Sequence, residues 1–380
     1  MKNLTVENIV KVCEGTLYGK EFIKDNMAEA AGVVLDSRLL QENYVFIATK
    51  GEKVDGHKFI PSVFEKRAMA VICEDLPENV TGPCIQVKDS FTALKKIAAF
   101  YRQQLDIKVI GITGSVGKTS TKEFVAGVLS AKYNVWKTQG NFNNEVGLPL
   151  TVLQLREEHE IAVLEMGISD FGEMHRLSEI AKPDICMLTN IGQCHLEFLG
   201  DRDGVLKAKT EIFDFMNPEG MIFVNGDDDK LITLKEKWQN QLVTFGRNEG
   251  NDIYAINEIS KGLLGTIADI QGKLNIPKVV VPLPGEHMVL NALAASAVAD
   301  MLGLTSEEIK AGMKKVTAVS GRSNIVPLKD FVLIDDCYNA NPVSMKAAVD
   351  LLQSANGRKV AVLGDMFELV EEEEKLHYEV

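Results

Sequence analysis

One short segment constrains the fold of this chain most: the sequence G-I-T-G-S-V-G-K-T-S at residues 111–120. It overlaps the end of an apolar run, Lys108–Thr113, and leads into a segment whose apolar residues recur at helical spacing from Phe124 to Leu129. A strand that turns through glycines into an amphipathic helix is typical of a phosphate-binding loop in an α/β domain. An ordinary glycine-rich turn between a strand and a helix is the alternative.

The loop offers several groups for binding a nucleotide phosphate. Its backbone N–H groups can turn toward phosphate oxygens, and the helix N-terminus adds the positive end of its dipole. Lys118 can reach the β- and γ-phosphates, and the Thr119 hydroxyl can hold Mg²⁺. The strict motif has a glycine where this chain has Ile112, so the loop is a variant form. The predicted nucleotide-binding residues of the loop are Thr113, Gly114, Ser115, Val116, Gly117, Lys118, Thr119 and Ser120.

Chain length and the order of predicted elements indicate a mostly parallel α/β protein of several domains. At roughly 150 residues per domain, 380 residues suggest two to three domains. We predict a small α/β domain at residues 1–88 and a central domain at 89–318, where strands and helices alternate. Residues 242–283 carry shorter strands and many glycines, which predicts an antiparallel edge of the central sheet.

The last predicted domain covers residues 319–380. Two apolar runs, Phe331–Ile334 and Val360–Leu363, indicate strands, and Asn341-Pro342 between them is typical of a helix start. These elements would form a single βαβ unit, and residues 371–380 are predicted to be a further helix.

The net charge disfavours some classes of partner. The chain has 41 basic and 54 acidic residues, a net charge of −13, which disfavours nucleic acid and anionic membrane surfaces. The N-terminus lacks the pattern of a signal peptide, and the apolar stretch 291–304 is too short to cross a bilayer. The six cysteines include no C-x-x-C pair, which favours a reduced cytoplasmic compartment. We expect a cytoplasmic monomer.

Two polar residues follow predicted strands of the central sheet. Glu165 comes directly after the strand at residues 161–164, and His195 follows the strand at residues 185–188. Ligands bind beyond the carboxyl ends of parallel strands, so both residues could face one nucleotide and its metal. The alternatives are a surface carboxylate for Glu165 and a loop histidine bonded to backbone for His195. Cys194 next to His195 has no second pair with which to form a zinc site.

Other candidates are ambiguous from residue chemistry alone. Lys209 lies in a predicted helix, where a solvated lysine is the ordinary expectation. Asn291 begins an alanine-rich helix and could either bond an adenine edge or serve as a polar residue at a helix start.

Several strings together resemble the ATP-dependent Mur ligases, over essentially the whole chain. The most specific are G-N-F-N-N-E-V-G-L-P at residues 140–149 and D-D-C-Y-N-A-N-P at residues 335–342. The others are D-S-R at 36–38, F-I-A-T-K-G with D-G-H at 46–57, T-G-S-V-G-K-T at 113–119, L-E-M-G at 164–167, T-N-I-G with His195 at 189–195, A-K-T-E-I-F at 208–213, and Gly321-Arg322.

The resemblance implies three domains: one binding the UDP-sugar substrate, a central ATPase domain and a Rossmann-like C-terminal domain. In the family the last domain continues beyond the match at residues 357–366, so it is expected to be incomplete here. The family usually has Asn at the position of Met288.

The resemblance also implies roles for particular residues. Lys118, Glu165, His195, Lys209 and Arg322 would be catalytic. The metal ligands would be Thr119, Glu165, His195 and Lys209, with Lys209 at the position of a lysine that is carbamylated in related ligases. Asn291, Arg322 and Asp336 would bind ATP, and the substrate-binding residues would be Ser37, Arg38, Asn141 and Asn144.

The implied reaction is ATP- and Mg²⁺-dependent addition of D-alanyl-D-alanine to UDP-N-acetylmuramoyl-tripeptide through an acyl phosphate. This is the last cytoplasmic step of peptidoglycan precursor synthesis. The alternatives are a sister Mur ligase or a folylpolyglutamate synthetase-like ligase, which share the ATP site, and a non-catalytic nucleotide-binding fragment.

Overall fold

The computed structural model describes residues 1–52, 54–367, 369 and 373–380. Contacts divide the chain into two units. Unit 1 comprises Met1–Ile107, Thr138–Glu160 and Glu179–Ala181, and unit 2 comprises Lys108–Lys137, Ile161–Ser178 and Lys182–Val380. The domain boundaries at residues 88 and 318 remain predictions.

The elements are numbered along the chain. The strands are β1 Thr16–Tyr18, β2 Gly32–Val34, β3 Tyr44–Ile47, β4 Ala70–Cys73, β5 Cys84–Gln86, β6 Lys108–Thr113, β7 Val135–Lys137, β8 Ile161–Glu165, β9 Ile185–Leu188, β10 Met221–Asn225, β11 Leu242–Gly246, β12 Ile253–Ser260, β13 Thr266–Gly272, β14 Ile276–Val281, β15 Asn324–Pro327 and β16 Val332–Asp335. The α-helices are α1 Val6–Cys13, α2 Ile60–Glu65, α3 Ser90–Arg102, α4 Lys118–Leu129, α5 Gly147–Val152, α6 Glu173–Ala181, α7 Leu196–Leu199, α8 Arg202–Thr210, α9 Lys235–Trp238, α10 His287–Met301, α11 Ser306–Met313, α12 Pro342–Gln353 and α13 Glu373–Glu379.

Unit 1 contains a five-stranded sheet in the order β1-β5-β4-β3-β2. The four strands β2 to β5 run parallel, and β1 pairs antiparallel with β5. Apolar side chains of β3 and β4, such as Phe46 and Val71, pack with Ile60 and Val63 in a buried cluster. The Asp89 carboxylate accepts a hydrogen bond from Thr92 N and so caps the start of α3.

Unit 2 is built on a nine-stranded sheet in the order β14-β13-β12-β11-β10-β9-β6-β8-β7. Along this order, each neighbouring pair from β12 to β7 is parallel. The pairs β12–β13 and β13–β14 are antiparallel. The mostly parallel central sheet is therefore confirmed, and so is its antiparallel edge, although β11 within the predicted edge pairs parallel on both sides. Every residue of β8 and β9 is buried, as expected for parallel strands covered on both faces.

Helices α4, α10 and α11 cover this sheet with apolar side chains. Phe124 and Leu129 on α4 belong to the same buried cluster as Met187 on β9 and Leu293 on α10. Helix α10 is buried along nearly its whole length, which explains its alanine-rich sequence. Within the described residues no helix, α10 included, is long and apolar enough to cross a membrane.

The region after residue 318 differs from its prediction. Helix α12 begins as expected, with Asn341 as N-cap and Pro342 as first residue. The predicted strand at Val360–Leu363 is wrong, and with it the βαβ unit: residues 358–367 adopt no regular secondary structure, and β16 instead pairs antiparallel with β15. A parallel strand needs a neighbour for its backbone groups, and no described strand pairs with this run. The predicted last helix is α13, while Glu371 and Glu372 lie outside the described residues.

Candidate active site

The predicted phosphate loop connects β6 to α4 and turns through two glycines with positive φ. Gly114 has φ +151° and Gly117 has φ +81°, values that side-chain-bearing residues rarely adopt. A Cβ atom on Gly114 would also overlap the Thr189 hydroxyl. Both glycines are therefore required by the path of the backbone.

The segment after β9 holds this loop in place. Asn190 Oδ1 accepts from Val116 N at 2.9 Å, and Asn190 O accepts from Ser115 N at 3.0 Å. Thr189 Oγ1 donates to Val116 O at 2.6 Å. Residue chemistry alone did not single out Thr189 and Asn190, although they follow β9, which neighbours β6 in the sheet.

Lys118 lies at the start of α4 with its side chain folded back over the loop. Its Nζ donates to Gly114 O at 2.9 Å and to Ser115 O at 3.3 Å. Burial lowers the pKa of the Lys118 ammonium, and the nearby charge of Glu165 opposes that shift. Thr113 Oγ1, at the end of β6, is buried and has no hydrogen-bond partner in the part of the chain that the structure describes.

Two of the predicted metal ligands are in contact. Thr119 Oγ1 donates to Glu165 Oε1 at 3.1 Å, and both side chains are buried. Glu165 is 1% exposed, so the alternative of a surface carboxylate does not hold. Sequence reasoning missed Lys122, which is equally buried and whose Nζ lies 3.7 Å from Glu165 Oε2.

His195 is the half-buried N-cap residue of α7, with φ +51°. The residues just before it touch the phosphate loop: Cys194 Sγ lies 3.2 Å from Ser115 Oγ, and Gly192 N donates to Ser115 Oγ at 2.9 Å. Among the described residues, no three His, Cys, Asp or Glu side chains are grouped so that they could hold a metal. The role of His195 remains a prediction.

Lys209 is buried in α8 and is 1% exposed, so a solvated lysine is excluded. Burial, together with the nearby charge of Lys118, lowers the pKa of Lys209 to about 8. A substantial fraction of this lysine is therefore uncharged at mildly alkaline pH.

Asn291 lies in the first turns of α10, next to the phosphate-loop helix. Its Oδ1 accepts from Thr121 Oγ1 at 2.8 Å, and its Nδ2 donates to Met288 Sδ at 3.4 Å. The asparagine is thus engaged with α4, and the sulfur of Met288 takes one of its donors.

Arg322 and Asp336 lie in the region after residue 318. The Arg322 guanidinium lies 4.1 Å from the centroid of the Tyr338 ring, and its charge also contributes to the lowered pKa of Lys118. Asp336 Oδ1 accepts from Ser323 N at 2.8 Å, and burial raises the pKa of this carboxyl group.

The predicted substrate residues Ser37, Arg38, Asn141 and Asn144 belong to unit 1, whereas the phosphate loop belongs to unit 2. Arg38 pairs with Asp36 and lowers the pKa of that carboxyl group to about 2. Ser37 O accepts from Lys66 Nζ at 2.9 Å.

The two asparagines occupy a turn in unit 1. Asn144 Oδ1 accepts from Gly147 N at 2.8 Å at the start of α5. Asn141 is exposed, and its carbonyl oxygen accepts from Asn143 N at 2.7 Å.

Comparisons with known proteins match the whole chain. Residues 112–299 match the Mur ligase middle domain, residues 321–380 the Mur ligase glutamate ligase domain, and residues 29–102 the Mur ligase family catalytic domain. The UDP-N-acetylmuramoyl-tripeptide–D-alanyl-D-alanine ligase of Bacillus subtilis is 40% identical over 99% of this chain and 81% of the relative. This chain belongs to the Mur ligase family. The Escherichia coli ligase of the same name is 35% identical over the full chain and 83% of its own length.

Solved Mur ligase structures have the same fold. MurF from Acinetobacter baumannii superposes with a TM-score of 0.89 at 34% identity, covering 98% of this chain and 82% of its own. MurF from Thermotoga maritima in complex with ADP gives a TM-score of 0.79 at 32% identity over 92% and 80% of the two chains. The predicted α/β class and Mur ligase architecture are confirmed, and the chain is a ligase. A Mycobacterium tuberculosis folylpolyglutamate synthase, 18% identical with a TM-score of 0.58, shares the fold alone.

Proposed function

We propose that the chain joins D-alanyl-D-alanine to UDP-N-acetylmuramoyl-tripeptide at the expense of ATP, in the cytoplasm, in peptidoglycan precursor synthesis. The observation that carries the proposal is the buried contact between Thr119 and Glu165 beside the phosphate loop. This contact lies in a chain that is 40% identical to the B. subtilis ligase with that activity in its name. The two MurF structures are 34% and 32% identical to this chain, whereas the folylpolyglutamate synthase is only 18% identical. This difference supports the D-alanyl-D-alanine reaction over that of a folylpolyglutamate synthetase.

The phosphate loop fits a nucleoside triphosphate. The N–H groups of Ser115 and Val116 are bonded to Asn190, but those of the first turn of α4, residues 118–120, receive no side-chain cap from Gly117, and the buried Thr113 hydroxyl offers a further polar group. Lys118 now bonds carbonyl oxygens of its own loop, and a phosphate would give its ammonium a stronger, charged acceptor.

The residues beside the loop also fit Mg²⁺, which prefers oxygen ligands. Thr119 and Glu165 would hold the ion, with His195 and Lys209 as the further predicted ligands. A cationic amine cannot ligate Mg²⁺, so Lys209 would react first with CO₂ through its uncharged amine. When bound, Mg²⁺ neutralises charge on the β- and γ-phosphates.

The proposed reaction has two steps. An oxygen of the tripeptide's terminal carboxylate attacks the γ-phosphorus, the bond to the bridging oxygen breaks, and ADP leaves. The amine of D-alanyl-D-alanine then attacks the acyl carbon, loses a proton, and expels phosphate. Lys118 and Arg322 would stabilise the negative charge that develops during transfer, and the loop would hold the phosphates in line.

Phosphate release tests this proposal. Wild-type protein with ATP, Mg²⁺ and UDP-N-acetylmuramoyl-tripeptide should release phosphate with D-alanyl-D-alanine and much less with D-alanine or L-glutamate. Lys118→Ala should abolish turnover and weaken ATP binding about tenfold or more, because a charge-assisted contact is lost. Lys132→Ala, a lysine bonded to Gly303 O beyond α4, is the matched control and should change neither. ATP binding without turnover by the wild type would instead favour a non-catalytic nucleotide-binding module.

A further inference from the structure

Lys122 is a buried cation for which the proposed reaction has no role so far. It lies on α4 three residues after Thr119, so the two side chains share a face of the helix. Its Nζ lies 3.3 Å from Glu123 Oε1 and 3.7 Å from Glu165 Oε2. A buried ammonium needs such carboxylate partners, because burial without them is costly.

These residues form a row of alternating charge. Lys137 on β7 pairs with Glu123, Glu123 pairs with Lys122, and Lys122 pairs with Glu165 at the end of β8. The row contains two cations and two anions, so its charges balance. Because Glu123 also neutralises Lys122, the lysine keeps a partner when Glu165 binds another ion.

The two oxygens of Glu165 have different partners on the same helix. Oε2 lies near Lys122, and Oε1 accepts from the Thr119 hydroxyl. We propose that Lys122 is a positioning residue that fixes the Glu165 carboxylate so that Oε1 faces Thr119, the pair predicted to hold Mg²⁺. This inference rests on the proposed function. Mg²⁺ binding loses less conformational entropy when the carboxylate is already held in the binding orientation than when binding must first order it.

The coupling between Mg²⁺ and ADP tests this role. Calorimetric titration of ADP into each protein, with and without Mg²⁺, gives the factor by which Mg²⁺ tightens ADP binding. Lys122→Met should reduce that factor about tenfold, because the ion pair that orients the Glu165 carboxylate is lost, and leave metal-free ADP affinity unchanged. Lys122→Arg, which keeps the cation, should restore most of it.

Two further variants keep the outcome interpretable. Lys122→Met combined with Glu123→Gln removes one charge of each sign, which keeps the row balanced and favours folding. It should show the same reduced factor, and the control Lys132→Met should match the wild type. A purely structural Lys122 would weaken ADP equally with and without Mg²⁺.

The possible failures are distinguishable. If both Lys122→Met proteins retain the wild-type factor, Lys122 does not position Glu165 for the metal, and if they show a larger factor, the ammonium only repels Mg²⁺; either result overturns the inference alone. If Mg²⁺ leaves ADP affinity unchanged in the wild type, the metal site of the proposed function fails and the inference fails with it.

Discussion

At the scale of single residues, Lys209 makes stability depend on pH. Its pKa falls from 10.5 to about 8 on burial, so between these values the unfolded chain binds more protons than the folded one. The cost of burying the ammonium is present in full below pH 8 and is relieved as the pH rises toward 10.5. Folding stability should therefore increase with pH across this window.

We predict that Lys209→Met is more stable than the wild type at pH 7, by no more than about 3 kcal/mol. The difference should shrink by about 1 kcal/mol at pH 9, because the wild-type amine is then largely uncharged. Urea denaturation of both proteins in CO₂-free buffer measures this. A difference that stays constant with pH would mean that Lys209 does not titrate as its burial implies.

The residues that sequence could and could not predict differ in how local their partners are. Lys118 and Glu165 follow from a loop motif and a strand end, both visible in a short stretch of sequence. Lys122 looks like an ordinary helix lysine, because the carboxylate beside it comes from β8, more than forty residues further along the chain. Asn291 likewise bonds Thr121, 170 residues away, a partner that no local pattern indicates.

At the scale of elements, the long apolar runs of the central domain predicted strands that pair with neighbours in the sheet. The runs at 161–164, 185–188 and 221–224 became β8, β9 and β10 with shifts of one residue at most. The equally apolar Val360–Leu363 did not form a strand, since strand formation depends on a partner that the run itself does not encode. The hairpin partner β15 was missed for a different reason: it is only four residues long, and between Asn324 and Pro327 it has just two apolar residues.

Packing between α4 and α11 gives a second prediction. A Cβ on Gly312 would lie 2.6 Å from both Cα and O of Val128, and backbone atoms cannot move aside cheaply. Gly312→Ala should therefore destabilise the protein by about 1–3 kcal/mol, despite the better helix propensity of alanine. A Cβ on Gly127 would instead meet the tip of the Val316 side chain at 2.9 Å, which can rotate.

Gly127→Ala is accordingly the matched control and should change stability by less than about 1 kcal/mol. Denaturation midpoints of both variants provide the comparison. If Gly312→Ala changes stability as little as Gly127→Ala does, the helices can move apart without penalty, and the close approach of α11 to α4 is unimportant.

At the scale of the whole molecule, burial of apolar side chains is uneven. Strands β6, β8, β9 and β10 and helices α4 and α10 contribute to one extended core. In the described residues after 318, the buried apolar side chains are Leu351, Met366, Leu369 and Leu376. Several large apolar side chains there are exposed, among them Phe331 at 60% and Val362 at 94%.

This distribution predicts a gradient of local stability, because regions with little buried apolar surface open at low free-energy cost. Amides of β6, β8 and β9 should exchange with deuterium only through global unfolding, since these strands are buried on both faces. Amides of β15 and β16 should exchange by local opening, at least about a hundredfold faster. Exchange followed by mass spectrometry with increasing urea separates the two, because only global opening accelerates steeply with denaturant. Equal protection and equal urea dependence in both sets would mean that β15 and β16 unfold together with the central sheet, and that their exposed apolar side chains do not mark a weaker part of the fold.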